Sequence, residues 1–262
     1  MTEKGTLYLI PVPLGDNNPE EVLPQSVKRA IDLIDTFVVE NSKVARKFIK
    51  AIHPEKVQAS LTLFELNKHT DSKEINSFIK PILDGKNMGL MSDAGCPGVA
   101  DPGAVVVKLA HEKGIKVVPL VGPSSILMSM MASGMNGQSF TFNGYLPIDK
   151  SDKKTALKNL ERWSQERDQS QIFIETPYRN NQILEEMIQI LNPNTLVCVA
   201  CDISLPTEYI VTKPISLWKK SKPYVFATKN GYEPTVANAL LYRIDRVCEL
   251  MNIEKDYVLI KK

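Results

Sequence analysis

Short apolar runs alternate with helix-spaced apolar positions along most of this chain. Residues 6–10 (TLYLI) are an apolar run stopped by Pro11 and Pro13, which predicts a short buried strand. Val27, Ala30, Ile31 and Ile34 recur at helical spacing over 25–34, and a second strand is predicted at 36–39. Helices follow at 43–52, closed by His53-Pro54, and at 74–83, where Ile75, Phe78, Ile79 and Ile82 share one face. A strand at 88–91 runs into a glycine-rich turn. A helix at 104–111, stopped by Gly114, and a strand at 116–120 complete the first half. Repeated strand–helix units of this length predict an α/β fold with a mainly parallel sheet covered by helices. In such sheets ligands gather at the carboxyl ends of the strands.

The pattern then passes through VPLVGP at 118–123, which reads as a joint between two α/β lobes, 1–118 and 119–262. The second lobe is predicted to carry a helix at 124–132, a strand at 140–146 and a charged helix at 154–167. A strand at 171–175, a helix at 180–191 and strands at 196–201 and 209–212 come next. The tail is predicted as a strand at 223–228, a helix at 234–251 with Pro234 in its first turn, and an edge strand at 257–260.

Composition narrows the function classes. Hydrophobic residues make up 43% of the 262 and charged residues 24%, which excludes a disordered chain. Lys and Arg total 32 against 30 Asp and Glu, and neither half is strongly basic, so bulk charge does not announce a nucleic-acid binder. A local patch remains open. Four cysteines are too few for a disulfide scaffold and fit a reducing compartment. Cys198 and Cys201 form a C-x-x-C, but on a strand they point to opposite faces, so they read as core residues and no metal is expected. The apolar start is too short for a signal peptide, and no apolar run is long enough to span a membrane. The expectation is a cytoplasmic protein.

The chemistry concentrates in loops. Residues 89–103, GLMSDAGCPGVADPG, place four glycines, two aspartates and two prolines directly after a buried strand. Glycine lets backbone approach a ligand closely, and proline fixes the course of the loop. The stretch matches neither phosphate-binding glycine motif, and no lysine follows it. A second such loop, 14–24, ends the first strand. A third, Val121-Gly122-Pro123-Ser124-Ser125, opens a helix; either serine taken alone reads as a cap. Three proline- and glycine-bearing loops after three strands suit one bound small molecule.

These segments resemble the tetrapyrrole methylase superfamily of S-adenosylmethionine-dependent methyltransferases. The nearest branch methylates a cytidine ribose 2′-oxygen in small-subunit ribosomal RNA. SDAGCPGVADPG resembles that branch's S-D-A-G-T-P-x-x-x-D-P-G, with Cys96 where threonine is usual. VVPLVGPSS is similar to V-V-P-L-P-G-P-S-A, FNGYLPIDK to Y-E-G-F-L-P-x-K, and IFIETPYR to I-F-Y-E-S-P-H-R. The opening LYLIPVPLGD is similar to L-Y-x-V-P-T-P-I-G-N. Five motifs run in register from Thr6 to about Thr212. Three places depart: Asn17-Asn18-Pro19-Glu20-Glu21 stand where D-I-T-x-R is usual, Asn41-Ser42-Lys43 follow Glu40 where D-T-R is usual, and the tail from Lys222 fits poorly because two segments compete to be the final strand.

The resemblance implies two α/β lobes, generally paired as a homodimer, with S-adenosylmethionine in the cleft. It assigns cofactor contact to Cys96, Pro97 and Val99, to Ser124 and Ser125, and to Pro13 and Thr176. Asp93 and Asp101 either cap loop N–H groups or face the ligand. Methyl transfer from a sulfonium is an in-line displacement, so alignment is the protein's main task, and a hydroxyl acceptor gains from a general base. Glu40 and Glu175, each at a strand end, either orient the acceptor or serve as solvated or ion-paired carboxylates. His69, alone in a polar loop, receives no role. Lys213, Lys219, Lys220, Lys222 and Lys229, with Trp218 and Tyr224, form an acid-free stretch that either binds RNA or is a solvated face, and Arg179 is a further phosphate contact to test. The partner expected is ribosomal RNA or the small-subunit particle. The departures keep two alternatives open: a tetrapyrrole or other small acceptor, and a module that holds cofactor or RNA without catalysis.

Overall fold

The structure is a computed structural model that describes residues 3–67, 70–176, 179–220 and 241–246, the last segment by its backbone. The first part holds β1 (Thr6–Leu9), α1 (Pro19–Val22), α2 (Gln25–Leu33), β2 (Thr36–Val39), α3 (Ser42–Ile52), β3 (Thr62–Glu65), α4 (Ser72–Phe78), α5 (Lys80–Leu83), β4 (Met88–Met91), α6 (Ala104–Glu112) and β5 (Lys116–Pro119). The remainder holds α7 (Ser125–Ala132), β6 (Phe140–Tyr145), α8 (Lys150–Arg167), β7 (Ser170–Ile174), α9 (Asn180–Ile190), β8 (Thr195–Cys201), β9 (Tyr209–Pro214), α10 (Ile215–Trp218) and β10 (Leu241–Arg246).

Two five-stranded sheets organise these elements. The first is wholly parallel in the order β3-β2-β4-β1-β5, so the ends of β1, β2 and β4 lie side by side along its carboxyl edge. One face is packed by the apolar stripes of α2 and α3, including Val27, Ile31, Phe48 and Ile49. The other is covered by α4, α5 and α6 through Phe78, Ile82, Val106 and Leu109. The second sheet runs β6-β7-β10-β8-β9, with β6 and β7 parallel and β10 antiparallel to both of its neighbours. Its core joins Leu157, Leu160, Phe173, Ile183, Met187 and Trp218. A further cluster unites Leu14 from the first loop and Met130 of α7 with Ile172, Ile174 and Ala200 of the second sheet.

Several elements differ from the sequence expectation, among them α1, a short helix inside the stretch read as a loop at 14–24, and α10, which was not anticipated. The helix predicted over 74–83 is two helices, because Pro81 has no N–H and the chain restarts as α5 at Lys80. Strand β3 was not anticipated from the pattern, since its residues are half-exposed on the edge of the sheet. Helix α8 begins at Lys150 rather than 154. Asp149 accepts hydrogen bonds from the Ser151 and Asp152 N–H groups, and Lys153, only 2% exposed, reaches Glu186 at 3.1 Å. The helix predicted over 234–251 is corrected where the chain is described: 241–246 is strand β10, which satisfies the backbone groups of β7 and β8 from between them. The strands predicted at 223–228 and 257–260 lie outside the described residues.

Candidate functional site

The three loops predicted to share a ligand meet physically. The loop after β1 is stapled to the loop after β4 by a reciprocal pair: Val12 N–H donates to Gly95 O at 3.0 Å, and Gly95 N–H to Val12 O at 3.2 Å. The loop after β5 joins them through Leu120 N–H to Leu9 O at 3.0 Å and through the Cys96 thiol, which donates to Pro123 O at 3.3 Å. Glycine is required where they cross. Gly95 has φ +71°, and a Cβ there would meet Leu14 and Pro123; a Cβ on Gly122 would lie 2.2 Å from Pro11 Cγ.

The first loop also reaches the second sheet's side. Leu14 packs into the cluster on β7 and β8, Gly15 lies against Leu205, and the Asn17 amide donates to Ser204 O at 2.6 Å. Asn17 belongs to the segment that departs from the family pattern, so this departure makes a specific bridge.

Each predicted cofactor residue has a definite place. Pro13 is half-buried in the first loop, Cys96 and Pro97 are at the crossing, and Val99 is 49% exposed on the outer turn. Gly98, with φ +83°, opens onto space in which a Cβ would meet nothing. Ser124 is the N-cap of α7, its hydroxyl accepting from Leu127 N–H at 3.5 Å, and Ser125 is the first helical residue. Thr176 follows β7 and donates its N–H to the Glu175 carboxylate at 2.7 Å. Crossing loops, an open turn beside them and backbone groups at the helix start offer donors and space to an adenosyl ligand. The residues fit the group.

Carboxylates line the strand ends beside this crossing. Asp101 braces its loop, accepting from Gly98 N–H at 2.7 Å and Gly103 N–H at 2.6 Å, which is the capping role. Asp93, half-buried, instead donates its backbone N–H to Glu40. Burial pushes Glu40 up to about 7, helped by the negative charges of Asp93 and Asp101. Burial, then Glu65, raises the Asp93 carboxyl as well. Glu65, by contrast, is lowered by its hydrogen bonds with Ser42.

Tyr145, at the end of β6, went unselected in the sequence although it sits in the FNGYLP motif. Burial raises its hydroxyl first, followed by the charges of Glu175 and Glu40, with Arg179 opposing. The phenol therefore feels a carboxylate from each sheet. Glu175 itself is an ion-pair member: it is 3% exposed and accepts from Arg179 at 2.8 Å and 2.5 Å. The same pairing holds the Arg179 guanidinium inward, which counts against a phosphate role.

Beyond the crossing, a cleft of about 300 Å³ opens between the first loop and α3, lined by Leu14, Asn17, Val44, Lys47, Phe48 and Asp93 among others. The acid-free stretch near the C-terminus is less available than its composition suggested. Lys213 lies 4.2 Å from the Trp218 ring centre, and Trp218 is buried with its indole N–H on Val197 O at 3.0 Å. Lys222, Tyr224, Lys229 and His69 lie outside the described residues. Cys198 and Cys201 are buried and form no disulfide, and burial lifts Cys201 to about 12. Among the described residues no group of three His, Cys, Asp or Glu could hold a metal, and no helix is long and apolar enough to cross a membrane.

Known proteins are similar to this chain in sequence and in fold. The family model for tetrapyrrole (corrin/porphyrin) methylases matches residues 6–217. The chain is 35% identical over 216 residues to the ribosomal RNA small subunit methyltransferase I of Bacillus subtilis, covering 82% of this chain and 69% of that one. It is 29% identical to the protein of the same name from Vibrio cholerae, over 80% of this chain and 69% of that one. Among solved structures, the methyltransferase CobJ superposes with TM-score 0.59 at 16% identity, covering 92% of this chain and 94% of that one. A uroporphyrin-III C-methyltransferase from Thermus thermophilus, complexed with S-adenosylhomocysteine, gives 0.52 at 15%, covering 92% and 97%. Structural likeness at this identity speaks for the fold, and the sequence match over four-fifths of the chain carries the assignment: the chain belongs to the tetrapyrrole (corrin/porphyrin) methylase family.

Proposed function

We propose that this protein is an S-adenosylmethionine-dependent methyltransferase acting on small-subunit ribosomal RNA, at a cytidine ribose 2′-oxygen. The observation that carries the reading is the meeting of three strand-end loops at Gly95, Cys96 and Gly122. Pro13, Cys96, Pro97, Val99, Ser124, Ser125 and Thr176 are the residues proposed to hold the cofactor. When bound, the cofactor supplies an electrophilic methyl group. This chain's residues then have two tasks. The loop crossing positions the donor, which is the larger share of catalysis for an in-line displacement. Glu40 takes the proton from the acceptor hydroxyl, since a carboxyl held at about 7 is matched to general-base work near neutrality. Tyr145, which feels the charges of both Glu40 and Glu175, orients the acceptor.

The RNA acceptor is supported by relatives at 29% and 35% identity that carry a ribosomal RNA name, whereas the tetrapyrrole enzymes resemble this chain only as folds. Separate sheets support lobes at 1–118 and 119–262. Leu127 and Met131, one turn apart on α7 and 53% and 82% exposed, support a homodimer. A cytoplasmic location goes with the RNA substrate. Calorimetric titration with S-adenosylhomocysteine tests the cofactor: heat and a raised Tm are expected, and the absence of both overturns the enzyme reading. Primer-extension mapping in a deletion strain tests the acceptor. An unmethylated ribose in small-subunit RNA is expected, and unchanged modification defeats the assignment.

A further inference from the structure

We propose that the cleft between the first loop and α3 seats the base of the acceptor nucleotide, with Asp93 accepting from its exocyclic amine and Lys43, Lys47 and Lys50 carrying the adjoining phosphates. The inference rests on the RNA-methylation reading. Three independent features of the site support it.

The first is size and place. A cleft of about 300 Å³ is at the small end of the roughly 300–1,000 Å³ spanned by ligand pockets, which suits one nucleoside better than a macrocycle. It shares Leu14 with the seam between the sheets and Asp93 with Glu40. The cleft also includes Pro13, proposed above to hold the cofactor, so a base seated there lies beside both the methyl donor and the proposed proton acceptor.

The second is the sign of the charge. Glu65, Glu40 and Asp93 follow or end three neighbouring strands, β3, β2 and β4, in that order. Of the three, Asp93 lines the cleft, whose other charged residues are the paired Asp16 and Lys47, so the carboxylate edge offered there favours an amino group over a phosphate. Cytosine presents its N4 amine as a donor, and Asp or Glu is its usual reader.

The third is the pattern of α3, SKVARKFIKAI, which contains no acidic residue. Val44, Phe48 and Ala51 line the cleft at i, i+4 and i+7. Lys43, Lys47 and Lys50 repeat the same spacing one residue earlier, about 100° around the helix, and all three are exposed. The stripe is about 10 Å long at 1.5 Å per residue. Lys47 meets Asp16 at 2.8 Å, but both side chains are well exposed and the pair is readily exchanged for a phosphate. The cation stripe thus borders the cleft and shares Lys47 with it, the stripe fitted to a backbone and the Asp93 side of the cleft to a base edge.

The test uses the full chain and small ribosomal subunits from the deletion strain. A triple change, Lys43→Gln, Lys47→Gln and Lys50→Gln, is compared with a charge-matched control, Lys150→Gln, Lys154→Gln and Lys158→Gln, on exposed positions of α8. Each single-stranded phosphate contact contributes about 0.7 to the slope of log affinity against log salt, so the α3 variant is expected to lose about 2 from that slope. The control loses little, and both keep wild-type affinity for S-adenosylhomocysteine. Equal losses in the two variants, or none in either, overturn the inference. Asp93→Asn supplies the second arm: the preference for cytidine over uridine at the methylated position is expected to fall at least tenfold. An unchanged preference refutes the base-reading role. If the wild-type protein neither binds subunits nor methylates them, the failure belongs to the RNA reading itself, and the inference falls with it.

Discussion

Glu40→Gln separates a catalytic gain from a folding cost in one residue. The Glu40 carboxyl is held at about 7, against 4.5 for a free side chain, chiefly because burial disfavours its charged form. That difference corresponds to about 3 kcal/mol at most. Solvent reaches this half-buried group, which reduces the figure to roughly 1–2 kcal/mol. The sign follows from proton counting. Between pH 4.5 and 7 the native state binds more protons at this site than the unfolded chain, so stability is full below that window and is lost as pH rises through it. Glutamine keeps the shape and cannot ionise. Urea denaturation is therefore expected to show the variant equal to wild type near pH 4.5 and about 1–2 kcal/mol more stable at pH 8. Over the same range wild-type kcat/KM is expected to rise to a plateau above about pH 7, and the variant to lose roughly 10²- to 10⁴-fold with no such limb. A variant with wild-type turnover, or one whose stability difference is the same at both pH values, refutes the reasoning.

Gly122→Ala puts a methyl 2.2 Å from Pro11 Cγ, and a loss of about 1–3 kcal/mol with weakened S-adenosylhomocysteine binding is expected by denaturation and calorimetry. Arg179→Ala strands the Glu175 carboxylate, whose side chain is only 1% exposed; about 3 kcal/mol of stability should go, and adding Glu175→Gln should restore most of it. Asp101→Ala removes the acceptor of the Gly98 and Gly103 N–H groups, each such charged bond contributing about 1.5–3 kcal/mol, so calorimetry should record a loss of cofactor affinity larger than any loss of Tm explains. Cys198 and Cys201 should resist iodoacetamide at pH 8 in the native protein and react after unfolding, as mass spectrometry will report.

Strong local signals were legible in the sequence. Helices α2 and α3 and strands β2 and β4 follow from apolar spacing, and the three loops announce themselves by glycine and proline. Readings failed where spacing and packing diverge. The polar start of α8 has no apolar period, yet Lys153 is buried there because Glu186 pairs with it. Residues 241–246 carry enough helix formers to imitate a helix, but the gap between β7 and β8 recruits them as a strand. Ser124 keeps its local role as a cap, and Asp101 its role as a loop brace, as their positions suggested. Glu175 and Arg179 were legible as residues but not as a pair.

The chain by itself determined its repeating units, the chemistry of its loops and the family they resemble, because backbone limits and apolar periods act over a few residues. Tertiary structure alone decided that Val12 pairs with Gly95, that Cys96 donates to Pro123, and that Glu40, Asp93 and Tyr145 share one electrostatic neighbourhood. Those juxtapositions come from strand order and hydrogen bonds between distant segments. The proton affinity of a carboxyl depends on what surrounds it in space, which no run of neighbouring residues specifies.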